Sequence, residues 1–201
     1  MRKKNIMRVL SVLILLAMTL TTCRDRIEPE ADDFVEYGWT LYTNRDYVGA
    51  FEQFQVGLDD DSLYIDGYNG MGWCYIEQGN PDSALIWFTD GLDYITIDSS
   101  QVRFEMLAGA AFSHHILENY YQVIVHAADL YALNPIFEFS HNFRINYRDI
   151  VIVLAASHYA LGEFTDALDW VQELDADFTV DVSTPGGRAQ LATKIETLQN
   201  L

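Results

Sequence analysis

Between Phe34 and Asp93 one stretch of chain is written twice, at an interval of 34 residues. Gly38-Trp39, Ala50, Phe54 and Gly57-Leu58-Asp59 return as Gly72-Trp73, Ala84, Phe88 and Gly91-Leu92-Asp93. That interval is the length of one helix-turn-helix, a unit that cannot bury its apolar face without a neighbour. A chain built this way has to stack its units.

The residues inside each copy agree. Phe34, Tyr37-Gly38 and Leu41 lie three or four apart, as do Ala50, Phe54 and Leu58, which predicts two helices broken at Asn44-Arg45-Asp46. In the second copy Tyr68, Met71-Gly72 and Tyr75 are answered by Ala84, Phe88 and Leu92. The break there is Gln78-Gly79-Asn80-Pro81, with Gly to stop one helix, Asn to cap the next and Pro at its first position. The small residues allow close helix approach and the aromatics fill the space around them.

This code resembles the tetratricopeptide repeat (TPR), and the resemblance covers most of the chain after its N-terminal segment. Phe34 and Tyr68 stand where that family usually has Trp, Gly57 and Gly91 stand for its late Ala, and its closing Pro is missing after both copies. The resemblance implies an all-α, right-handed α-solenoid of about four TPR-like helix pairs plus a C-terminal capping helix. Repeats are expected at about 31–64, 65–98, 102–135 and 148–181, with the cap at about 185–200. The third pair is the faintest: Glu105, Ala108-Gly109 and Phe112 mark one helix, and Tyr121, Val125 and Ala128 the other. Val151, Leu154-Ala155 and His158, then Ala167, Val171 and Leu174, mark the fourth, and Leu191, Ile195 and Leu198 give the cap its stripe.

One segment breaks the rhythm. Gly109 to Ala155 is 46 residues, twelve beyond one period, and the excess at 136–146 carries Phe137, Phe139, His141 and Phe143. Long connections often carry function, yet loop aromatics also pack back on nearby helices, and both readings stay open.

The N-terminus is of another kind. Arg2, Lys3, Lys4 and Arg8 precede an apolar run from Val9 to Leu20, the plan of a secretory signal over residues 1–22. Leu20-Thr21-Thr22-Cys23 resembles a bacterial lipobox, although Thr22 stands where Gly, Ala or Ser is usual. The resemblance implies acylation of Cys23, a tether over residues 23–31, and a solenoid over 32–201 held at the outer membrane, on its periplasmic or surface side. A plain cleaved signal is the other reading. Cys74 is the only other cysteine; once Cys23 is acylated no internal disulfide can form, and Cys74 reads as a small buried hydrophobe.

The formal net charge is −18, and because residues 1–22 hold four basic and no acidic residues the remainder carries −22. Such a surface repels nucleic acid and anionic lipid. Gly67-Tyr68-Asn69-Gly70-Met71-Gly72 lacks the preceding strand and the Lys of a phosphate loop. Asp59-Asp60-Asp61-Ser62 lacks the Gly and distal Glu of a calcium loop. The five histidines show no ligand spacing, so no metal, cofactor or catalytic residue is expected.

What remains is the concave groove that the resemblance implies along the first helix of each pair. Transferring the family's geometry puts Asp32, Val35, Glu36, Trp39 and Tyr42 there, then Asp66, Asn69, Trp73 and Ile76, then Met106 and Ala110, then Ile152 and Tyr159. Trp39, Tyr42, Asn69, Trp73, Met106 and Tyr159 are the candidate peptide-binding residues. Trp39 and Trp73, one period apart, are either anchors for a ligand or wedges between neighbouring helices. With little basic company, the groove suits a neutral or basic protein segment better than an acidic one. The expectation is a non-catalytic envelope lipoprotein that holds another protein, as scaffold or assembly factor. The alternative is a lipoprotein that stacks a glycan or other small ligand on its tryptophans.

Overall fold

The computed structural model describes residues 28–95 and 100–200. The signal segment and Cys23 lie outside them. The described residues form nine helices: α1 (Ala31–Thr43), α2 (Tyr47–Asp60), α3 (Ile65–Glu77), α4 (Pro81–Tyr94), α5 (Gln101–Ile116), α6 (Tyr120–Leu133), α7 (Tyr147–Ala160), α8 (Phe164–Leu174) and α9 (Pro185–Gln199). Four consecutive pairs stack side by side, and α9 covers the open end by packing on α7 and α8. Four pairs and a final cap are what the sequence leads one to expect.

Each pair turns on one residue in the left-handed region. Gly79 (φ 73°) and Gly162 (φ 79°) hold that place in the second and fourth pairs. Arg45 (φ 64°) and Glu118 (φ 59°) hold it in the first and third, at the steric cost that a side chain brings there. Caps then start the next helix. Asp46 Oδ1 accepts from Gly49 N–H at 3.0 Å, Asn80 Oδ1 from Ser83 N–H at 3.2 Å, and Thr184 Oγ1 from Gly187 N–H at 3.0 Å.

The stack is asymmetric. Adjacent first helices (α1, α3, α5, α7) touch one another, whereas among the described residues no second helix touches another second helix. First helices therefore form the inner, concave wall. Phe54 and Phe88 explain how closely that wall packs. A Cβ added at Gly38 or Gly70 would lie 2.6 or 2.4 Å from the Phe54 ring. Added at Gly72 it would lie 2.4 Å from the Phe88 ring, and Gly109 closes on the same ring from the next pair. Each phenylalanine thus sits between a glycine of its own pair and one of the next, and no Cβ fits on either side.

The third pair departs from this scheme. On α6 the buried residues are Val123, Ala127 and Leu130, while Tyr121 and Val125 face solvent. The face expected from Tyr121, Val125 and Ala128 is thus wrong by about half a turn. The reason is that α6 carries neither the Phe nor the Gly that set the register in α2 and α4. The fourth pair and the cap close over Ile152, Ala167, Val171, Leu191, Ile195 and Leu198 in a second apolar cluster.

Candidate functional site

The concave wall is not open: the insert between α6 and α7 fills it. The insert is a short looped hairpin. Phe139 N–H donates to Ile145 O at 2.9 Å and Tyr147 N–H to Phe137 O at 2.7 Å, with one antiparallel bridge between Glu138 and Asn146. Asn146 then caps α7 and forms a reciprocal capping box with Asp149. Both ends of the segment are therefore held.

Three of its rings, Phe137, Phe139 and His141, point inward. Phe139 is fully buried (0% exposed) and stacks on Trp73 with ring centroids 4.2 Å apart. It also lies edge-on to Trp39 and Tyr42. His141 stacks face to face on Trp39, with centroids at 3.6 Å and planes 1° apart. Trp39 is left 5% exposed and Trp73 1%. The two tryptophans do mark corresponding places in successive repeats, but the chain's own insert covers both.

One buried carboxylate, Glu105, fastens the insert to the wall, and a second carboxylate, Asp66, ties the wall's own residues together. Glu105 accepts from Asn69 Nδ2 at 2.7 Å, from Gln101 Nε2 at 3.0 Å and from the Ser140 N–H at 3.1 Å. Gln101 Nε2 also donates to Glu138 O at 2.9 Å. Asp66 accepts from the Trp39 indole N–H at 2.8 Å and from Asn69 Nδ2 at 3.1 Å. Burial raises the Asp66 carboxyl above its ordinary range, and the hydrogen bonds from Asn69 and Trp39 partly offset that. Glu105 stands in α5 where Asp66 stands in α3, each four residues before the glycine that meets a phenylalanine ring. Its extra methylene reaches the insert backbone, and the Trp73 indole N–H is buried with no acceptor among the described residues.

The six candidate residues therefore separate. Trp39, Trp73, Asn69 and Met106 are buried under the insert or between helices. Tyr159 is partly buried at the far end, edge-on to Phe164. Tyr42 alone reaches an opening, a polar cavity of about 370 Å³ at the rim, whose walls include Arg45, Tyr47, Glu77, His141 and Arg144. Its hydroxyl donates to Glu77 Oε1 at 3.1 Å, and burial, reinforced by Glu77, pushes that hydroxyl above the usual phenol range. Arg45 and Arg144 are 99 residues apart in sequence, so no local motif announces their meeting at one cavity.

The outer side of the insert differs from the inner. Ile136 is 80% exposed and Phe143 72%. Cys74 lies at the opposite extreme: burial, with Glu77 nearby, pushes its thiol up to about 12, so it remains a neutral, packed thiol at physiological pH. Among the described residues no helix is long and apolar enough to cross a membrane.

No protein-family model matches the chain, and no curated protein matches it. Solved structures do. A tetratricopeptide repeat protein from Parabacteroides merdae is 15% identical over 85% of this chain, with a TM-score of 0.58. YrrB, described as a TPR protein with an unusual peptide-binding site, is 14% identical over 85% of this chain and 87% of its own, with a TM-score of 0.64. PilW, a widely conserved type IV pilus biogenesis factor, is 16% identical over 74% of this chain, with a TM-score of 0.58. The chain spans 60% of the Parabacteroides protein and 63% of PilW. At these identities the likeness establishes the fold.

Proposed function

We propose that this chain, a tetratricopeptide-repeat solenoid by fold, is a non-catalytic interaction module of the bacterial envelope, tethered through an acylated Cys23. In this reading it recognises a segment of another envelope protein where the insert crosses the concave wall. The observation that carries the reading is the two-sidedness of the insert. Its inner rings are locked into the wall, while Ile136 and Phe143 stand in solvent on a backbone held at both ends. Large apolar side chains presented on an ordered loop bind at low entropic cost, because little has to be immobilised on association.

The partner segment is neutral or basic overall, complementing the −22 that the chain carries beyond residue 22. Arg45 and Arg144 at the rim cavity supply donors for its main-chain carbonyls. Trp39 and Trp73 serve recognition indirectly, by seating the segment that presents Phe143. YrrB, a TPR protein with an unusual peptide-binding site, and PilW, a type IV pilus biogenesis factor, support a protein-binding, envelope-associated role.

The test is crosslinking in intact cells followed by mass spectrometry, comparing the natural chain with Phe143→Ala and Ile136→Ala. The expected result is a specific envelope neighbour whose capture both variants weaken without loss of helicity. Unchanged capture would remove the insert from the interface. Mass spectrometry of the membrane fraction checks the anchor, and an unmodified Cys23 there overturns it.

A glycan reading draws on a separate observation: the rim cavity combines the Tyr42 and Tyr47 rings with Glu77 and two arginines, and its volume suits a small polar ligand. Trp39 stacks on the His141 that lines this cavity, so its fluorescence reports occupancy. A saturable change with oligosaccharides and none with peptides would favour that reading.

A further inference from the structure

A second constellation lies away from the insert, at the turn joining α7 to α8. His158 is in the last turn of α7, Glu163 immediately precedes α8, and Asp166 is in the first turn of α8. One donor atom from each lies within 4.8 Å of the others. His158 Nδ1 and Glu163 Oε2 are 2.7 Å apart. The left-handed Gly162 makes this meeting possible, by reversing the chain so that the end of one helix faces the start of the next.

Glu163, like Tyr64 and Asn119, precedes a helix without capping it through its side chain. Asp46, Asn80, Ser100, Asn146 and Thr184 turn their side chains onto the N–H groups of the helix that follows. Glu163 makes no such cap and turns back to His158. A carboxylate aimed at an imidazole, with a second carboxylate beside it, offers a set of three ligand atoms.

We infer that His158, Glu163 and Asp166 form a binding site for a divalent transition-metal ion, zinc above all. One imidazole nitrogen and two carboxylate oxygens are donors that zinc accepts together, at about 2.0–2.2 Å each. Tetrahedral angles at those lengths put donor atoms about 3.4 Å apart. The His158–Glu163 contact therefore opens slightly as Asp166 draws in, and both carboxylates are exposed side chains free to make that adjustment. Magnesium and calcium prefer all-oxygen sets and gain nothing from the imidazole. Two carboxylates balance the charge of the ion, and the acidic chain raises the local concentration of cations. Three protein ligands leave at least one coordination position to water or to a donor from another molecule.

The test uses the full-length chain, stripped with a chelator and titrated with Zn²⁺ against a chromophoric competitor, then with Co²⁺ followed by visible absorption. One Zn²⁺ per chain at micromolar affinity is expected, with the intense Co²⁺ bands of low-coordinate geometry. Asp166→Asn should weaken binding by roughly tenfold or more, and His158→Gln should abolish it, with far-ultraviolet dichroism unchanged. If His158→Gln fails to fold, the exposed Asp166→Asn decides alone. Binding that saturates only in the millimolar range, or an affinity that Asp166→Asn leaves intact, overturns the site. Neither result bears on the insert, whose test reads capture of a partner through Phe143.

Discussion

The first two helix pairs and the last two solve the same packing problem differently. In the first half the period is strict, and Phe54 and Phe88 are each held between two glycines on the inner wall. In the third pair Ala127 takes the phenylalanine's place and Leu130 that of Gly57 and Gly91, and the volume needed on the concave side comes from outside the repeat, from Phe137 and Phe139 of the insert. Regular repetition builds a curved wall and leaves its inner face uncovered. Here an irregular segment from the second half returns to cover the inner face of the first. The least repetitive part of the chain is thus what completes the core of its most repetitive part.

Removing that cover should have the largest effect. Phe139→Ala is expected to cost about 3–5 kcal/mol in urea unfolding, the range for an aromatic ring deleted from a packed core. Phe143→Ala, four residues away on the solvent side, should stay within about 0.5 kcal/mol. Near-equal values for the two would mean that the insert is not core. Glu105→Ala leaves the Ser140 N–H without its acceptor and Asn69 Nδ2 with Asp66 alone, and should cost about 2–3 kcal/mol. The same change should speed backbone hydrogen exchange at Ser140. Gly72→Ala drives a methyl group into the Phe88 ring and should cost about 1–3 kcal/mol, read from the same unfolding curves.

Two smaller effects sharpen the contrast between pairs. Glu118 occupies in the third pair the left-handed turn position that Gly79 and Gly162 occupy in the second and fourth. Glu118→Gly should therefore stabilise the chain by up to about 1 kcal/mol, seen as a raised unfolding midpoint. Acid should act on the second half through its histidines. Burial lowers His114, His126 and His141 from the ordinary value of 6.5 in the folded chain. The unfolded chain then binds protons first as pH drops below 6.5, so stability is retained above that value and lost through it toward the lower folded values. Asp66, raised by burial, has the opposite slope, with folding favoured as pH falls toward 3.8. A midpoint that is flat between pH 7 and 5 would contradict the histidine contribution.

Much of the fold was legible in the sequence because repetition is a local signal. Gly38, Phe54, Gly72 and Phe88 repeat at one interval, and each copy carries its own turn and cap, so helices, pairing and stacking follow from short-range rules. The register of α6 was not legible, since Val123, Ala127 and Leu130 share no residue type with their counterparts in α2 and α4. The candidate site was legible only in outline. Trp39 and Trp73 were rightly placed on the inner wall, but nothing local to them shows that Phe139 and His141 would reach them from roughly 70 to 100 residues downstream.

The division has a physical cause. Periodicity, capping residues and small-residue spacing act within a turn or two of helix, and by themselves they determined that this chain is an all-helical stack with an acidic surface. Which face stays open, where Arg45 meets Arg144, and how His158 comes to face Glu163 across a reversed turn depend on how distant segments fill a shared volume. Close packing decides those outcomes for the whole chain at once, and only the tertiary structure records the result.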